Sequence, residues 1–245
     1  MSATYGNDFY DIQVGGSYQS AKVYVAHLYE LFAPRAVVDV GCGRGTWLKA
    51  FAEAGAIKVV GYDGHWNSAQ HMLDPRIDFR ACDLNQAIAR DGAEARFDLA
   101  LSLEVAEHLE PAAASTFVQC LTDFSDVVMF SAAYTGQVGT NHINAQPPTY
   151  WALHFLKLGY SAFDIFRPKF WGDSRVEYWY QQNTVLYVRE QGTVHAALVA
   201  QGLAPISNLA FLDCVHPQLY RSKVEFSLQE ALISRVKSYF RRGTA

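Results

Sequence analysis

Two carboxylates and two imidazoles near the middle of the chain are the side chains best suited to acid–base or metal chemistry. Glu104, Glu107 and His108 fall within five residues, and His142 follows in a polar stretch rich in amide side chains. Free imidazole has a pKa of about 6.5, so either histidine could take a proton from a hydroxyl near neutral pH. We predict His142 as the base and His108 as second choice; a purely structural role is the alternative for each histidine. The four side chains could instead hold a divalent cation, which we do not favour.

The stretch from Val37 to Trp47 is suited to binding an electron-rich ligand with its main chain. An apolar run with one internal acid, Asp39, leads into glycines at alternate positions. Glycine leaves no Cβ between backbone and ligand, and the amides that open the next helix favour electron-rich groups. Dinucleotide sites use the spacing G-x-G-x-x-G, but Thr46 occupies the position of their third glycine. The spacing therefore disfavours a pyrophosphate. The glycines are Gly41, Gly43 and Gly45.

Acidic residues also end the next two predicted strands. Asp63 lies 22 residues beyond Gly41, about the distance at which a strand–helix–strand unit presents an acid to ribose hydroxyls. Its carboxylate could accept from both the 2′ and the 3′ hydroxyl, which suits any adenosine ligand. Asp83 closes the third predicted strand and is followed by the apolar Leu84. Three acids in this order favour a nucleoside-containing ligand.

Strands that alternate with helices place these residues at one edge of a sheet. The apolar runs predict strands at 37–40, 59–63, 77–84, 97–102, 126–131, 162–166 and 184–188. Helices are predicted at 18–32, 47–54 and 150–159, with another that carries Phe117 and Leu121. This alternation indicates an α/β fold with a mostly parallel, doubly wound sheet. Ligands bind at the carboxyl ends of such strands, so we expect Leu103, after the fourth, to line the pocket.

Two segments outside these elements are candidates for contact with a second substrate. Residues 132–149 show no regular period and include His142, and long irregular loops in compact domains are usually functional. Residues 169–182 are dense in aromatic side chains, which would form a substrate wall or merely cover the sheet edge. They are Phe170, Trp171, Tyr178, Trp179 and Tyr180.

The form D-x-G-C-G-x-G from Asp39 to Gly45 resembles the first motif of class I S-adenosylmethionine-dependent methyltransferases. The resemblance covers residues 20–190 and implies a Rossmann-like, seven-stranded sheet, with helices on both faces and an antiparallel edge hairpin. It implies S-adenosylmethionine as the cofactor, with its amino acid end held by the glycine turn. It also implies that Asp83 accepts from the adenine amino group and that Leu84 flanks the ring. A leading helix over the cofactor site is typical of the family.

Shorter phrases resemble particular branches of that family. Glu-Val-Ala-Glu-His-Leu, at 104–109, looks like the branch that acts on small molecules, glycans and quinones. The segment His-Ile-Asn-Ala-Gln with Trp151, and Trp-Tyr-Gln-Gln-Asn from Trp179, resemble methyltransferases of bacterial surface glycans. The order E-x-x-E-H followed by a distant His is similar to the metal site of small-RNA 2′-O-methyltransferases. These likenesses imply an acceptor with a hydroxyl, and they leave the metal open.

We expect a methyltransferase domain at 1–190 and a C-terminal helical extension at 191–245. Ser227 and Glu230 have the spacing of a capping box, which predicts a helix at 228–242 with one apolar side. That side would pack on the domain or on a second subunit, so a homodimer through the extension is an expectation. No internal repeat or low-complexity tract interrupts the sequence.

Composition narrows the function classes. The 245 residues are 50% hydrophobic with a net charge of −4, and their Lys and Arg are scattered, which argues against general nucleic-acid binding. Four distant cysteines and no secretory or membrane-spanning segment predict a cytoplasmic protein. We therefore expect a methyltransferase that O-methylates a small polar or glycan acceptor. The alternatives are metal-assisted methylation of a sugar or ribose diol and a noncatalytic cofactor-binding scaffold or regulatory subunit.

Overall fold

The computed structural model describes residues 7–88 and 95–225, which divide into two compact units. The first ends at Asp213 and the second begins at Cys214. The expected boundary was near residue 190, but residues 193–200 form a helix whose Leu198 is fully buried in the core of the first unit. Residues 217–225 of the second unit are helical. The predicted helix at 228–242, with its capping box, lies outside the described residues.

The first unit is built on a seven-stranded mixed sheet, as the sequence predicts. In chain order the strands are β1 (Ala36–Val40), β2 (Lys58–Asp63), β3 (Ile77–Ala81), β4 (Leu99–Leu103), β5 (Val127–Ser131), β6 (Tyr160–Phe163) and β7 (Val185–Arg189). Their order across the sheet is β3-β2-β1-β4-β5-β7-β6. The pairs from β3 to β5 are parallel, whereas β7 runs antiparallel to both β5 and β6. This arrangement is a Rossmann-like sheet with an antiparallel edge pair.

Strand formation follows from burial on both faces. Val37 and Val38 are fully buried and belong to separate hydrophobic clusters on opposite faces of the sheet. The same alternation continues in β5, where Met129 faces one cluster and Phe130 the other. Apolar runs of this kind, rich in β-branched residues, are typical of parallel strands covered on both sides.

Helices cover both faces of the sheet. Their bounds are α1 (Asn7–Leu31), α2 (Thr46–Ala54), α3 (Ala114–Phe124), α4 (Pro148–Lys157), α5 (Arg167–Phe170), α6 (Tyr178–Asn183) and α7 (Thr193–Ala200). The cluster that contains Val37 includes residues of α1, α2, α5, α6 and α7, and the opposite cluster includes α3 and α4. Within residues 7–88 and 95–225, no helix is long and apolar enough to cross a bilayer.

Two element boundaries differ from the predicted ones in ways that matter for the site. The third strand was predicted to reach Leu84 but ends at Ala81, so Asp83 lies in a turn. The sixth was predicted at 162–166 but spans Tyr160–Phe163, because Asp164 accepts the N–H of Arg167 as α5 begins. No helix or strand forms between Ser131 and Pro148, as the irregular sequence predicts. We call residues 132–147 the β5–α4 loop.

Candidate active site

The glycine turn after β1 brings the main chain to the edge where the parallel strands end. Gly41, Gly43 and Gly45 have φ angles of +90°, +54° and +77°. A Cβ at Gly41 would overlap Cγ2 of Val105, and one at Gly45 would overlap Cδ1 of Ile77. A Cβ at Gly43 would meet no atom within 4 Å. Packing therefore requires the first and third glycines, whereas the second faces open space through which a ligand can approach the backbone.

Asp63, at the end of β2, binds this turn directly. Its Oδ2 accepts the N–H of Gly43 at 2.6 Å, and its Oδ1 accepts the N–H of Gly64 at 2.6 Å. Burial raises the pKa of Asp63, and the two backbone hydrogen bonds oppose that rise. Each carboxylate oxygen has a second lone pair, so the side chain can still accept from two adjacent hydroxyls.

Asp39 places a second carboxylate beneath the same turn. It is 3% exposed, and its Oδ1 has no hydrogen-bond partner among the described residues. Burial, followed by the negative charge of Asp63, raises the pKa of Asp39 well above its ordinary value. A buried acceptor without a partner costs free energy. A donor group on a bound ligand would reduce that cost.

The remaining predicted cofactor residues lie at the ends of β3 and β4. Asp83 is exposed, and its Oδ1 accepts the N–H of Asn85 at 3.0 Å. Leu84 is half-buried against the cluster that includes α3. Leu103 ends β4 and is buried in the opposite cluster. All of these predicted residues thus lie at the strand ends of β1 to β4.

Asn67 is a contact of the glycine turn that the sequence reasoning missed. Its Nδ2 donates to the main-chain oxygen of Gly43 at 2.5 Å, and the residue is 5% exposed. Its Oδ1 accepts the N–H of Ser68 at 2.8 Å. Asn67 therefore fixes the open side of the turn together with Asp63. The only signal was an amide side chain four residues after the acid.

The predicted catalytic histidines meet at the same edge of the sheet. His108 ends a single 3-10 turn, Ala106–His108, that follows β4, and His142 comes from the β5–α4 loop. Their ring centroids are 4.9 Å apart with the planes at 75°. One ligand atom from each of Glu107, His108 and His142 lies within 4.8 Å of the others. Three of the four residues proposed for a metal are thus brought together.

Both imidazoles are held through the same ring atom. Nδ1 of His108 lies 3.3 Å from the main-chain oxygen of Asn141, and Nδ1 of His142 lies 3.2 Å from that of Gln137. A carbonyl oxygen only accepts, so each Nδ1 carries the hydrogen and each Nε2 keeps its lone pair. Burial lowers the pKa of both rings, and the neighbouring imidazole of His142 lowers the pKa of His108 further. Both rings are therefore neutral bases near neutral pH.

Gly139 packs closely against the ring of His142. A Cβ there would overlap Nε2 of the ring, so glycine is required for the ring to occupy this position. Any side chain at residue 139 would displace the ring from its place beside His108. The close packing of the β5–α4 loop on His142 therefore depends on glycine at this residue.

Glu104 does not join the histidines and instead lies among amides. Its Oε2 accepts from Nε2 of Gln137 at 2.9 Å, and its Oε1 accepts from Nδ2 of Asn183 at 3.1 Å. Burial raises the pKa of Glu104, and hydrogen bonds from Asn183, Ser131 and Gln137 oppose the rise. Its φ of +56° is left-handed, unusual for a residue with a side chain. No spacing or motif in the sequence connects residues 104, 137 and 183.

The cluster of Glu107, His108 and His142 fits a divalent cation. Glu107 is 1% exposed, and its Oε2 has no hydrogen-bond partner among the described residues. Burial, then the charge of Glu104, raises the pKa of Glu107 well above its ordinary value. One carboxylate and two neutral imidazoles held through Nδ1 are a ligand set that divalent transition metals accept. The residues present therefore suit a metal, with Glu104 outside the cluster.

A family model described as a methyltransferase domain matches residues 17–164. That match covers more than half of the chain. The chain belongs to this methyltransferase family. Solved structures that share its fold include a methyltransferase with bound S-adenosylmethionine and the same enzyme with bound SAH. No curated protein sequence matches the chain.

Solved structures share this methyltransferase's fold at low identity. Magnesium protoporphyrin IX methyltransferase from Synechocystis, with bound SAH, is 19% identical with a TM-score of 0.51, over 78% of this chain and 90% of that one. The 1,6-didemethyltoxoflavin-N1-methyltransferase of Burkholderia thailandensis is 24% identical with a TM-score of 0.50, over 76% and 83%. The methyltransferase domain of bacterial CtHen1-C is 18% identical with a TM-score of 0.52, over 71% and 98%.

Proposed function

We propose that this methyltransferase O-methylates a hydroxyl of a small polar or glycan acceptor, with His142 as the general base and His108 second. The observation that carries the proposal is the pair of imidazoles at the strand-end edge, each bonded through Nδ1 and neither with a hydrogen bond at Nε2 to another described residue. The pair lies just beyond Val105, whose side chain packs over Gly41 of the glycine turn. The amide-rich β5–α4 loop around His142 supports a polar acceptor.

The chemistry follows from these positions. S-adenosylmethionine supplies a methyl group on a sulfonium sulfur, and the acceptor oxygen displaces that sulfur in line. Nε2 of His142 accepts the hydroxyl proton as the new C–O bond forms and the C–S bond breaks. The lowered pKa of His142 keeps Nε2 unprotonated near neutral pH, so we expect activity to fall on the acid side of about pH 6.5.

The cofactor residues are assigned within the same proposal. Asp63 accepts from the ribose hydroxyls, and the unpartnered Oδ1 of Asp39 accepts from a donor group of the cofactor, whose amino acid end the turn holds. The backbone of that turn faces the ligand at Gly43, where no Cβ contact exists within 4 Å. Asp83 accepts from the adenine amino group, and Leu84 flanks the ring, with Leu103 on the pocket wall.

A second candidate function is metal-assisted methylation of a sugar or ribose diol. The specific observation in its favour is the convergence of Glu107, His108 and His142 around the unpartnered Oε2 of Glu107. These three residues would hold the cation. A divalent cation there would supply Lewis acidity that lowers the pKa of a bound hydroxyl.

The wider organisation belongs to the proposal as well. Residues 191–245 would include a helical extension that packs on the domain or on a second copy of the chain. Four free cysteines support a reducing, cytoplasmic location. The net charge of −4 favours a small acceptor over general nucleic-acid binding.

The decisive experiment is a transfer assay with methyl-labelled S-adenosylmethionine and a panel of hydroxylated acceptors. We expect His142→Ala to lower turnover by about 100-fold or more, while His195→Ala, which removes a half-buried imidazole from α7, leaves it unchanged. Full turnover in His142→Ala would place the base elsewhere. Tight cofactor binding without transfer to any acceptor would favour the noncatalytic scaffold.

Metal-assisted methylation is distinguished from the base mechanism by removing cations with a chelator and adding back Mg²⁺ or Mn²⁺. The cation would be supported if wild type lost turnover with the chelator and regained it with the metal, while Glu107→Gln showed no such recovery. An unchanged rate after complete metal removal would end that candidate and leave the base mechanism standing.

A further inference from the structure

The amide cluster around Glu104 joins segments that are distant in sequence. Besides the bonds from Gln137 and Asn183 to its carboxylate, Nδ2 of Asn183 donates to Oε1 of Gln137 at 3.0 Å. Nε2 of Gln182 donates to Oδ1 of Asn183 at 2.8 Å. The main-chain N–H of Glu104 donates to Oγ of Ser131 at 3.1 Å. Every polar atom named here therefore has a hydrogen-bond partner.

Sheet topology explains how these segments meet. Glu104 follows β4 and Ser131 ends β5, which are parallel neighbours. Because β7 runs antiparallel to β5, its beginning lies at the same edge, where Val185 pairs with Phe130. Asn183 ends α6 just before β7, which is the second neighbour of β4 in the sheet. From there its side chain reaches the carboxylate of Glu104.

The network continues to the catalytic base through one residue. Both Glu104 and Asn183 bond the side chain of Gln137. The main-chain oxygen of Gln137 accepts a hydrogen bond from Nδ1 of His142 at 3.2 Å. Fixing the side chain of Gln137 therefore fixes the carbonyl that selects the tautomer of the ring. A neutral histidine whose Nδ1 carries the hydrogen has its Nε2 lone pair available.

We propose that Glu104 is a positioning residue and not a metal ligand: through Gln137 and Asn183 it anchors the β5–α4 loop and sets His142 in the tautomer that leaves Nε2 free. Its effect on turnover rests on the proposed role of His142, whereas its effect on the tautomer does not.

A carboxylate at residue 104 suits this task better than an amide. The groups that face it, Nε2 of Gln137 and Nδ2 of Asn183, are both donors, and a carboxylate only accepts. In Glu104→Gln one oxygen becomes an NH₂ group, so two donors would face each other without an acceptor. The left-handed backbone of Glu104 is strained, and it persists because the surrounding contacts over-determine it.

Exchanging the two side chains gives a sharp test. In the double variant Glu104→Gln/Gln137→Glu, the carboxylate moves to position 137, where it accepts from the amide introduced at position 104 and from Asn183. The network therefore re-forms with its charge moved by one residue. A metal ligand or a catalytic charge at position 104 would not tolerate that exchange. The matched control is Glu110→Gln, which neutralises an exposed glutamate six residues away.

The readout is nitrogen-15 NMR of the histidine rings in the full-length protein, at a pH where they are neutral, with His142 identified by its absence in His142→Ala. We expect wild type, Glu110→Gln and the double variant to keep hydrogen on Nδ1. Glu104→Gln should shift most of the His142 population to the Nε2–H tautomer and lower turnover by about 10- to 100-fold.

Two results would overturn the inference. One is an unchanged His142 tautomer in Glu104→Gln, with unfolding temperature close to that of wild type. The other is a double variant that is as impaired as Glu104→Gln while still folded and binding S-adenosylmethionine. A tautomer that depends on Glu104 while His142→Ala keeps full turnover would instead retain the positioning role and reject His142 as the base.

Discussion

The two halves of the strand-end edge are held together by different kinds of contact. At the ends of β1 and β2, Asp63 and Asn67 bind the main chain of Gly43, across 20 and 24 residues of sequence. At the ends of β4 and β5 and the start of β7, the bonds join side chains separated by 33, 46 and 79 residues. The half around Gly43, the proposed cofactor half, therefore depends on backbone shape, whereas the half around Glu104, the proposed acceptor half, depends on side-chain partners. Side chains can be exchanged without rebuilding the turn.

The strongest test of the backbone half is Gly41→Ala. The added Cβ would overlap both methyl groups of Val105 and would sit on a residue with φ of +90°. Overpacking and left-handed strain together should lower the free energy of unfolding by about 2–5 kcal/mol. Urea unfolding measures this loss, and Gly43→Ala, which meets no atom, should lose only the strain of about 1–2 kcal/mol. Equal losses would show that Val105 does not constrain the turn.

The corresponding test of the side-chain half is Asn183→Ala. It removes two donated bonds and one acceptor of the Gln182 amide, so the free energy of unfolding should fall by about 1–3 kcal/mol. Affinity for S-adenosylmethionine, measured by calorimetry, should stay within about threefold of wild type, or roughly 0.7 kcal/mol. A larger loss of affinity would mean that the two halves are coupled.

Asp63→Ala should weaken cofactor binding and leave the network around Glu104 unchanged, the opposite of Asn183→Ala. Loss of the ribose acceptor should weaken S-adenosylmethionine binding by at least about tenfold, or roughly 1.4 kcal/mol. The tautomer of His142 should not change, because Asp63 has no bond to the acceptor network among the described residues. Affinity within about threefold of wild type would show that the ribose assignment is wrong.

The smallest change in the free energy of unfolding is expected beside β3, the edge strand next to β2. Asp74 pairs with Arg76 just before β3, and this bond holds the pKa of Asp74 at about 2. A lowered folded pKa stabilises the protein above the unfolded value of about 3.9 and loses that contribution as pH falls toward 2. Asp74→Asn should therefore cost less than about 1 kcal/mol at pH 7. The difference from wild type in urea unfolding should shrink below about pH 4; a constant difference would contradict the ion pair.

These halves also differ in how far the sequence predicts them. The glycine turn and the acids after β1 and β2 are visible in sequence because local spacing determines their contacts, and the structure places them at the strand ends as expected. Glu104 was grouped with Glu107 because the two are near in sequence. In the structure only Glu107 joins the histidines, since the left-handed Glu104 turns the chain between β4 and the 3-10 turn. Nothing in the sequence singles out Asn183, because its partner Glu104 lies 79 residues away.

Local spacing was also a poor guide to element limits. The first helix was expected to begin near residue 18, yet α1 starts at Asn7, through Gly15 and Gly16, which are poor helix formers. Contacts with distant residues begin at the second glycine: a Cβ at Gly16 would overlap Oε1 of Glu177, Ser20 Oγ accepts the N–H of Glu177, and Ser17 bonds the hydroxyl of Tyr180. The position of α1 over the cofactor site remains a prediction.

The place of β7 in the sheet sets an order of events during synthesis. Among the described strands it is the last to be synthesised, yet it lies between β5 and β6, so this sheet is incomplete until residue 189 has been made. The bonds from Asp63 and Asn67 to Gly43 are encoded by residue 67 and the packing of Val105 on Gly41 by residue 105, so we expect the turn to form before the bond between Asn183 and Glu104, which must wait for nearly the whole first unit. A nascent chain should therefore form the contacts of the proposed cofactor half before those of the proposed acceptor half. Until β7 has been made, the exposed edge of β5 is the surface that needs protection.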